Sequence, residues 1–300
     1  MTSISIGRRR ELGPLGEVGA IAFGCWRFVH EDLDTAIEVV STAVGLGFDL
    51  IDTADVYGLE WGGAGFGSVE RLLGQVLTAR PDLRERVVLA TKGGVRPGVP
   101  LDSSAAYLQQ ACDASLGRLG VERIDLYQVH RPDLLTHPEE VAGVLDRLVE
   151  SGKVRAVGVS NHTVAQTEAL ASFMRNPLVS TQPRFSAAHL GSLRDGTFDL
   201  AMRSGLVPLL WSPLAGGRLV TGEGVRTELT VALDRLAAAH DVDRTTVALA
   251  FCLAQAPRPV VIVGSQNVSR LRRYPDALAL ELSRDEIYTI VEASEGTRPL

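Results

Sequence analysis

Four residues whose side chains can carry charge or move a proton stand at or near the ends of apolar segments. Asp52 closes the segment FDLID, with Tyr57 shortly after it, and Lys92 directly follows VVLAT. His130 closes the segment IDLYQVH. The chain has 30 basic residues, yet only two are lysines, Lys92 and Lys153. Because arginine is used nearly everywhere else, a lysine here indicates a task for a compact ammonium that a planar guanidinium cannot perform.

A tyrosine beside a lysine can donate and accept a proton. The pKa of a free tyrosine is about 10. At about 4 Å and an effective dielectric constant of about 20, an ammonium stabilises the phenolate by on the order of 4 kcal/mol, before desolvation opposes it. We therefore expect Lys92 to favour the phenolate of Tyr57, and Asp52 to pair with Lys92, since unpaired buried charges are unstable. His130 titrates near neutrality and can donate to a substrate oxygen or transfer a proton.

These residues need a frame that brings strand ends together, and the rest of the sequence predicts one. Between short apolar segments lie stretches whose apolar residues recur at three and four, which indicates helices. Eight strands that are apolar on both faces and alternate with helices predict a closed parallel (β/α)8 TIM barrel, with a doubly wound open sheet as the alternative. The predicted strands cover 20–24, 48–52, 87–91, 124–130, 154–160, 179–183, 206–211 and 260–264.

The sequence predicts one barrel domain over residues 1–300, because no linker divides it. The polar segment before residue 20 fits a short N-terminal hairpin. Two helix patterns, ELTVALDRLAAAH and RTTVALAFCLAQA, lie between the seventh and eighth strands, so one of them is an extra helix. The segment SRDEIYTIVEA predicts a final helix at the C-terminus.

The bulk composition narrows the class of protein. Hydrophobic residues make up 45% of the chain, charged residues 22%, and the formal net charge is -6 at pH 7. An acidic chain does not favour nucleic acid or an anionic membrane as a partner. No N-terminal leader and no run of roughly 18 apolar residues is present, so we expect a cytoplasmic protein. Three scattered cysteines without CxxC pairing predict neither a disulfide framework nor a metal site.

Five motifs together resemble the aldo-keto reductase family: GFDLIDTADVYG, LATKGG, IDLYQVHRPD, GKVRAVGVSN and LLWSPLAGGRL. The resemblance runs from about residue 12 to about residue 280. It implies a (β/α)8 barrel that binds a nicotinamide cofactor without a Rossmann fingerprint, and a catalytic tetrad of Asp52, Tyr57, Lys92 and His130. In that family a hydride passes from the nicotinamide to a carbonyl carbon while the tyrosine protonates the oxygen. Tyr57 would be the general acid, tuned by Lys92 with Asp52, and His130 would orient the carbonyl.

The same resemblance implies a set of cofactor residues. Ser160, Asn161 and Gln182 match positions that hold the nicotinamide carboxamide, and Trp211 matches an aromatic residue that stacks on the nicotinamide ring. The loop that wraps the pyrophosphate corresponds to Ser212, Leu214 and Gly216, where small residues let backbone amides approach phosphate oxygens.

The segment VIVGSQNVSRLRRY departs from the family pattern. Many members have a lysine where this chain has Gly264, and Glu-Asn where it has Arg273 and Tyr274, so the resemblance does not tell which residues contact the adenine. Ser265 and Arg270 still match residues that meet the 2′-phosphate. The arginines at 270, 272 and 273 make this segment locally basic in an acidic protein. NADP(H) is therefore favoured over NAD(H). The cofactor candidates of this segment are Gly264, Ser265, Gln266 and Arg270.

Fewer residues bear on the substrate and on the alternative functions than on the cofactor. Trp26 matches a pocket-wall position, and Trp61 lies in the Gly-rich loop after Tyr57. Short connecting loops suggest an open pocket for a small-molecule aldehyde or ketone, such as a sugar or a secondary metabolite, in a monomer or weak homo-oligomer. One alternative is a cofactor-sensing module with little turnover. Another is a metal-dependent hydrolase using His130 and Asp52, which lacks further histidines at strand ends.

Overall fold

The structure is a computed structural model that describes residues 4–297. Eight parallel strands form a closed barrel, and two further strands form an antiparallel hairpin before it. The (β/α)8 prediction and the N-terminal hairpin are therefore confirmed, and the open-sheet alternative is wrong. The strands are β1 (Arg9–Glu11), β2 (Glu17–Gly19), β3 (Ile21–Gly24), β4 (Leu50–Asp52), β5 (Val88–Gly93), β6 (Ile124–Val129), β7 (Val154–Ser160), β8 (Leu178–Gln182), β9 (Val207–Leu210) and β10 (Val260–Val263).

Helices follow the barrel strands as the apolar periodicity predicts. Two helices of ten or more residues lie between β9 and β10, and a last helix follows β10, so the predicted extra helices are present. The α-helices are α1 (Leu33–Gly45), α2 (Ser68–Ala79), α3 (Pro81–Glu85), α4 (Ala105–Leu119), α5 (Pro138–Glu150), α6 (Val164–Ala171), α7 (Thr197–Ser204), α8 (Arg218–Thr221), α9 (Thr227–Ala239), α10 (Arg244–Leu253), α11 (Val268–Leu271) and α12 (Arg284–Glu295).

Two apolar cores explain why the strands read as continuous hydrophobic runs. One core fills the space between the strands and the surrounding helices. The second lies inside the barrel, where Leu50, Leu126 and Leu209 meet Leu12 and Val18 from the hairpin segment. Because both faces of each strand are covered, the strands show no polar alternation. The hairpin segment therefore supplies side chains to the barrel interior and leaves the carboxyl ends of the strands for a site.

The parallel register places the chemistry-bearing residues at one end of the barrel. Asp52 lies opposite Gly24 and Ala90, and Lys92 lies opposite Gln128. All of these positions are at or near the carboxyl ends of their strands. No helix within residues 4–297 is long and apolar enough to cross a membrane.

The segment VSRLRRYPDAL, residues 268–278, has apolar residues at helical spacing and predicts one helix, but the structure does not form a single helix there. It divides into α11, which ends at Leu271, and a 3-10 turn over Tyr274–Leu278. Pro275 occupies the start of that turn, where its missing N–H is tolerated, but it cannot continue an α-helix. The break places Arg273 and Tyr274 on the wall of the cavity described below.

Helices α2 and α4 approach each other closely because of a glycine and a buried ionic contact. A Cβ added at Gly74 would lie 2.4 Å from the carbonyl oxygen of Arg118, a backbone atom. Buried Glu70 accepts from Arg118 Nε at 2.6 Å and from Thr91 Oγ1 at 2.5 Å. Glu70 thereby joins both helices to β5, next to Lys92.

We predict that Gly74→Ala destabilises the protein by about 1–3 kcal/mol, because the two helix backbones would have to separate. Gly117→Ala in α4 is the matched control, since a Cβ there meets no atom within 4 Å. The control should gain roughly 0.5–1 kcal/mol from the lower backbone entropy of alanine. Urea unfolding followed by circular dichroism measures both, and equal stability of the two variants would contradict the close-approach argument.

Candidate active site

The four chemistry-bearing residues meet at the carboxyl end of the barrel. Lys92 is fully buried, and its Nζ lies 2.7 Å from Asp52 Oδ2. The same ammonium donates to the Thr53 carbonyl at 2.8 Å and to the Tyr57 hydroxyl at 3.2 Å. The rings of Tyr57 and His130 contact edge to face, with centroids 5.8 Å apart. The ammonium is thus surrounded by three oxygen partners, one of which is the phenol.

Two glutamines hold the other oxygen of Asp52. Gln182 Nε2 donates to Asp52 Oδ1 at 2.8 Å, and Gln128 Nε2 lies 3.4 Å from the same oxygen. The carboxylate therefore contacts side chains from β5, β6 and β8. Sequence reasoning missed Gln128, although a fully buried glutamine in the apolar strand β6 is the signal that could have found it.

The Asp52–Lys92 pair keeps Lys92 charged. Burial lowers the pKa of Lys92, but Asp52 and then Tyr57 raise it more, so its net pKa lies above the usual value. For Tyr57, burial raises the pKa, Lys92 lowers it and Asp52 raises it again, and the net pKa lies above 10. Lys92 does favour the phenolate as expected, yet desolvation outweighs that effect. Tyr57 is consequently a protonated donor at neutral pH.

The expectation that His130 titrates near neutrality is wrong. Burial, followed by the charges of Lys92 and Arg131, holds the pKa of His130 well below its usual value of 6.5. The imidazole is therefore neutral at pH 7, and its Nδ1 is buried without a hydrogen-bond partner among residues 4–297. A neutral ring can orient a polar group but does not supply a positive charge.

A cavity of about 890 Å³ runs from this cluster along the carboxyl ends of the last strands. Tyr57 and His130 line one end of it, and Arg270 and Tyr274 line the other. All cofactor candidates except Gln266 line its wall; Gln266 lies 3.1 Å from His30 Nε2 instead. The candidates on the wall are Ser160, Asn161, Gln182, Trp211, Ser212, Leu214, Gly216, Gly264, Ser265 and Arg270.

Asn161 links three neighbouring residues of the cavity wall, Trp211, His130 and Ser160, by hydrogen bonds. It has a left-handed φ of 58°, and its Oδ1 accepts from Trp211 Nε1 at 3.0 Å. Its Nδ2 donates to the His130 carbonyl at 3.1 Å and to Ser160 Oγ at 2.9 Å. These bonds set the plane of the Trp211 indole, so a flat aromatic wall stands next to the tetrad.

The loop after β9 has the backbone shape of an anion cradle. Ser212, Ala215, Gly216 and Gly217 all have positive φ, at 57°, 51°, 73° and 102°. A Cβ added at either glycine would meet open space. The Ala215 N–H donates to the Ser212 carbonyl and the Gly217 N–H to the Leu214 carbonyl, both at 2.9 Å, which fixes the turn. Turns of this kind can present their remaining backbone N–H groups to a phosphate. This geometry and the Trp211 wall fit the pyrophosphate and nicotinamide of a dinucleotide.

Aromatic and cationic residues surround the mouth of the cavity near Tyr57. Trp26 lines the cavity, whereas Trp61 packs against Trp26 edge to face at 5.3 Å and does not itself reach the wall. Arg27 stacks over the Trp61 ring at 4.2 Å and donates to the Gly216 carbonyl at 3.2 Å. Arg27, which sequence reasoning missed, thus connects the aromatic pair to the anion cradle.

No group of three or more His, Cys, Asp or Glu side chains between residues 4 and 297 is arranged to hold a metal ion. The metal-dependent hydrolase alternative therefore finds no ligand set in that part of the chain.

Comparison with known proteins places the chain in a family. Residues 20–295 match the family model of the aldo/keto reductase family, so the chain belongs to that family and the resemblance seen in the motifs is confirmed. The chain is 46% identical to a 6-dehydroglucose reductase of Novosphingobium aromaticivorans over 96% of both sequences. It is 33% identical to a 6-dehydroglucose reductase of Agrobacterium fabrum, over 93% of this chain and 96% of that protein.

A solved structure has the same barrel. An aldo/keto reductase from Klebsiella pneumoniae, solved in complex with NADP and acetate, superposes with a TM-score of 0.78 over 94% of each chain. Its sequence identity to this chain is 23%, so the comparison concerns the fold.

We predict that Asp52→Asn destabilises the protein by about 3–5 kcal/mol, because it leaves the Lys92 ammonium buried without its counter-ion. In that variant desolvation lowers the folded-state pKa of Lys92 below the unfolded value. The destabilisation should then be largest at neutral pH and shrink as pH rises and the lysine deprotonates.

Asp52→Asn combined with Lys92→Met is the control, since it removes both charges. It should recover part of the loss in urea unfolding experiments. A single variant as stable as the wild type would show that the pair does not hold the site together.

Proposed function

We propose that this protein is an NADP(H)-dependent reductase that converts an aldehyde or ketone to an alcohol, with Tyr57 as the general acid. The observation that carries the proposal is the contact between the Lys92 ammonium and the Tyr57 hydroxyl at 3.2 Å, beside a cavity of about 890 Å³. The family assignment supports oxidoreductase chemistry.

The tetrad divides the work between proton transfer and orientation. When bound, the cofactor supplies a hydride to the carbonyl carbon. Tyr57 donates its proton to the carbonyl oxygen, and Lys92 stabilises the phenolate that remains. Asp52 keeps Lys92 charged and in place. His130, being neutral, holds the carbonyl oxygen within reach of the phenol.

The preference for NADP(H) over NAD(H) rests on charge at the far end of the cavity. Arg270 forms no ion pair with any residue between 4 and 297, and it lines the cavity beside Ser265. A free guanidinium and a hydroxyl suit a phosphate monoester. The Klebsiella protein, which was solved in complex with NADP, has the same barrel fold.

For the substrate we propose a sugar aldehyde, with hexose C6 aldehydes as the first candidates. Both relatives named above are 6-dehydroglucose reductases, and the 46% identity to one of them covers nearly the whole chain. Trp26 offers an apolar surface for a sugar ring, while Arg131 lines the cavity and forms no ion pair among residues 4–297. Its guanidinium is available to sugar hydroxyls.

We also propose that residues 1–300 form one domain, which works in the cytoplasm as a monomer or weak homo-oligomer. The formal net charge of -6 supports the absence of a nucleic-acid partner.

We predict that Tyr57→Phe lowers the kcat of NADPH-dependent reduction by roughly 10²–10⁴, because the phenyl ring has no proton to donate. Purified protein would be tested against a panel of sugar and non-sugar carbonyls. Tryptophan fluorescence quenching by NADPH should be the same for wild type and variant. Binding of NADPH with no turnover of any carbonyl would favour the cofactor-sensing module. Failure to bind NADPH or NADH would contradict the proposed reductase function.

The pKa shifts predict a flat pH profile for reduction between about pH 6 and pH 9. The pKa of Tyr57 lies above 10, so the donor stays protonated below that pH. The pKa of His130 lies well below 6.5, so the ring stays neutral above it. Measurement of kcat across this pH range tests the direction of both pKa shifts, upward for Tyr57 and downward for His130. A step near pH 6.5 that disappears in His130→Gln would contradict the neutral histidine.

A further inference from the structure

The cavity end around Arg270 combines guanidinium donors with hydroxyl groups and two carboxylates. It is lined by Ser265, Arg270, Arg273 and Tyr274, together with residues at the start of α10. Arg273 and Tyr274 stand where the family motif commonly has Glu-Asn, a pair with acceptor oxygens. An arginine offers five N–H donors and no acceptor. The change therefore removes acceptors from this end and adds a positive charge.

The carboxylates at this end are already bound by protein groups. Asp234 accepts from Arg244 Nε and Nη2, both at 2.6 Å. Asp243 accepts from the Thr246 backbone N–H at 2.7 Å through Oδ1, and its Oδ2 pairs with Arg273. Each acid thus already has a protein donor on both of its oxygens, and an adenine amino group would have to share an oxygen with one of these donors.

Tyr274 does not replace the missing acceptor. The residue is 7% exposed, and the Ser265 hydroxyl lowers the pKa of its phenol. Burial, partly offset by Ser265 and Arg270, raises the pKa of Tyr274 above its usual value, so it stays neutral. An aromatic ring binds a base by stacking, which does not distinguish the polar edge of the base.

Two arginines remain for an anion. Arg270 has no acidic partner among residues 4–297, and Arg273 uses one Nη on Asp243, which leaves other donors of its planar fork unused in that contact. A phosphate monoester can accept from two guanidinium groups at once. Asp243, as the N-cap of α10, holds Arg273 at the cavity edge.

We infer that Arg273 is a second phosphate-binding arginine, which together with Arg270 selects the 2′-phosphate of NADP(H), and that the adenine edge is not recognised. This inference rests on the proposed cofactor. It makes Arg273 a specificity-determining residue that arises from a departure of this chain, and it predicts a site that distinguishes phosphate from hydroxyl but not adenine from hypoxanthine.

The test is equilibrium binding, followed by the fluorescence of the three tryptophans. The probes are NADPH, NADH and the hypoxanthine analogue of NADPH, in which the exocyclic amino group is replaced by a carbonyl. The wild type should bind NADPH and the hypoxanthine analogue with Kd values within about three-fold of each other, and NADH much more weakly.

Arg273→Gln should weaken NADPH binding about ten-fold and leave NADH binding unchanged, since only one charged contact to the phosphate is lost. Arg272→Gln is the matched control, because Arg272 is also exposed but does not line the cavity. Replacing both departures, in Arg273→Glu with Tyr274→Asn, should make the protein prefer NADPH to its hypoxanthine analogue. Thermal melting of each variant checks that folding is intact.

Three results would overturn the inference. Equal losses for NADPH and NADH in Arg273→Gln, or no loss for either, would show that Arg273 does not contact the 2′-phosphate. A hypoxanthine analogue that binds ten-fold or more weakly than NADPH would show that the base edge is recognised. If no nucleotide binds the wild type, the proposed cofactor is rejected together with the role of Arg273. If the wild type and Arg273→Gln bind NADPH equally well, only the role of Arg273 is rejected.

Discussion

The buried ammonium of Lys92 is the constraint on which the site depends. A charge removed entirely from water is unstable unless oxygen partners replace its hydration. Lys92 has three such partners, and they come from the end of β4 and the turn that follows it. The position of Tyr57 is therefore tied to the solvation of Lys92. The turn cannot move away without leaving the charge uncompensated.

Closure of the barrel allows side chains from strands far apart in the sheet to contact the Asp52–Lys92 pair. Asp52 on β4 accepts from Gln182 on β8, and it also pairs with Lys92 on the neighbouring strand β5. In an open sheet, β4 and β8 would be separated by the three strands between them, at about 4.8 Å for each strand spacing. Closure brings them face to face across the barrel axis. The amide, the carboxylate and the ammonium then form one network that fixes the relative positions of several strand ends.

The strand ends and their contents could be predicted from the sequence because they depend on local patterns. Apolar runs, helical spacing and a polar residue at each run's end place Asp52, Lys92 and His130 correctly at the mouth. The ionisation of Tyr57 and His130 could not be predicted in this way. It depends on how completely neighbouring chain segments exclude water from each ring, and that burial decides the direction of both pKa shifts. Gln128 stands out in the sequence as a polar residue in an apolar run, but its contact with Asp52, 76 residues away, depends on the fold.

The two ends of the cavity differ in how their charges are exposed to solvent, and under the proposed function they would recognise their ligands by different physical means. Around Tyr57 the charges are buried and paired, so their fields are strong and small changes in distance matter for proton transfer. Around Arg270 and Arg273 the side chains are exposed, and attraction to a phosphate is screened by salt over about 10 Å. A chain with a net charge of -6 gains this attraction only by placing arginines locally. In the proposed reductase, the exposed end would then contribute affinity and selectivity for the cofactor, while the buried end remains rigid for the chemistry.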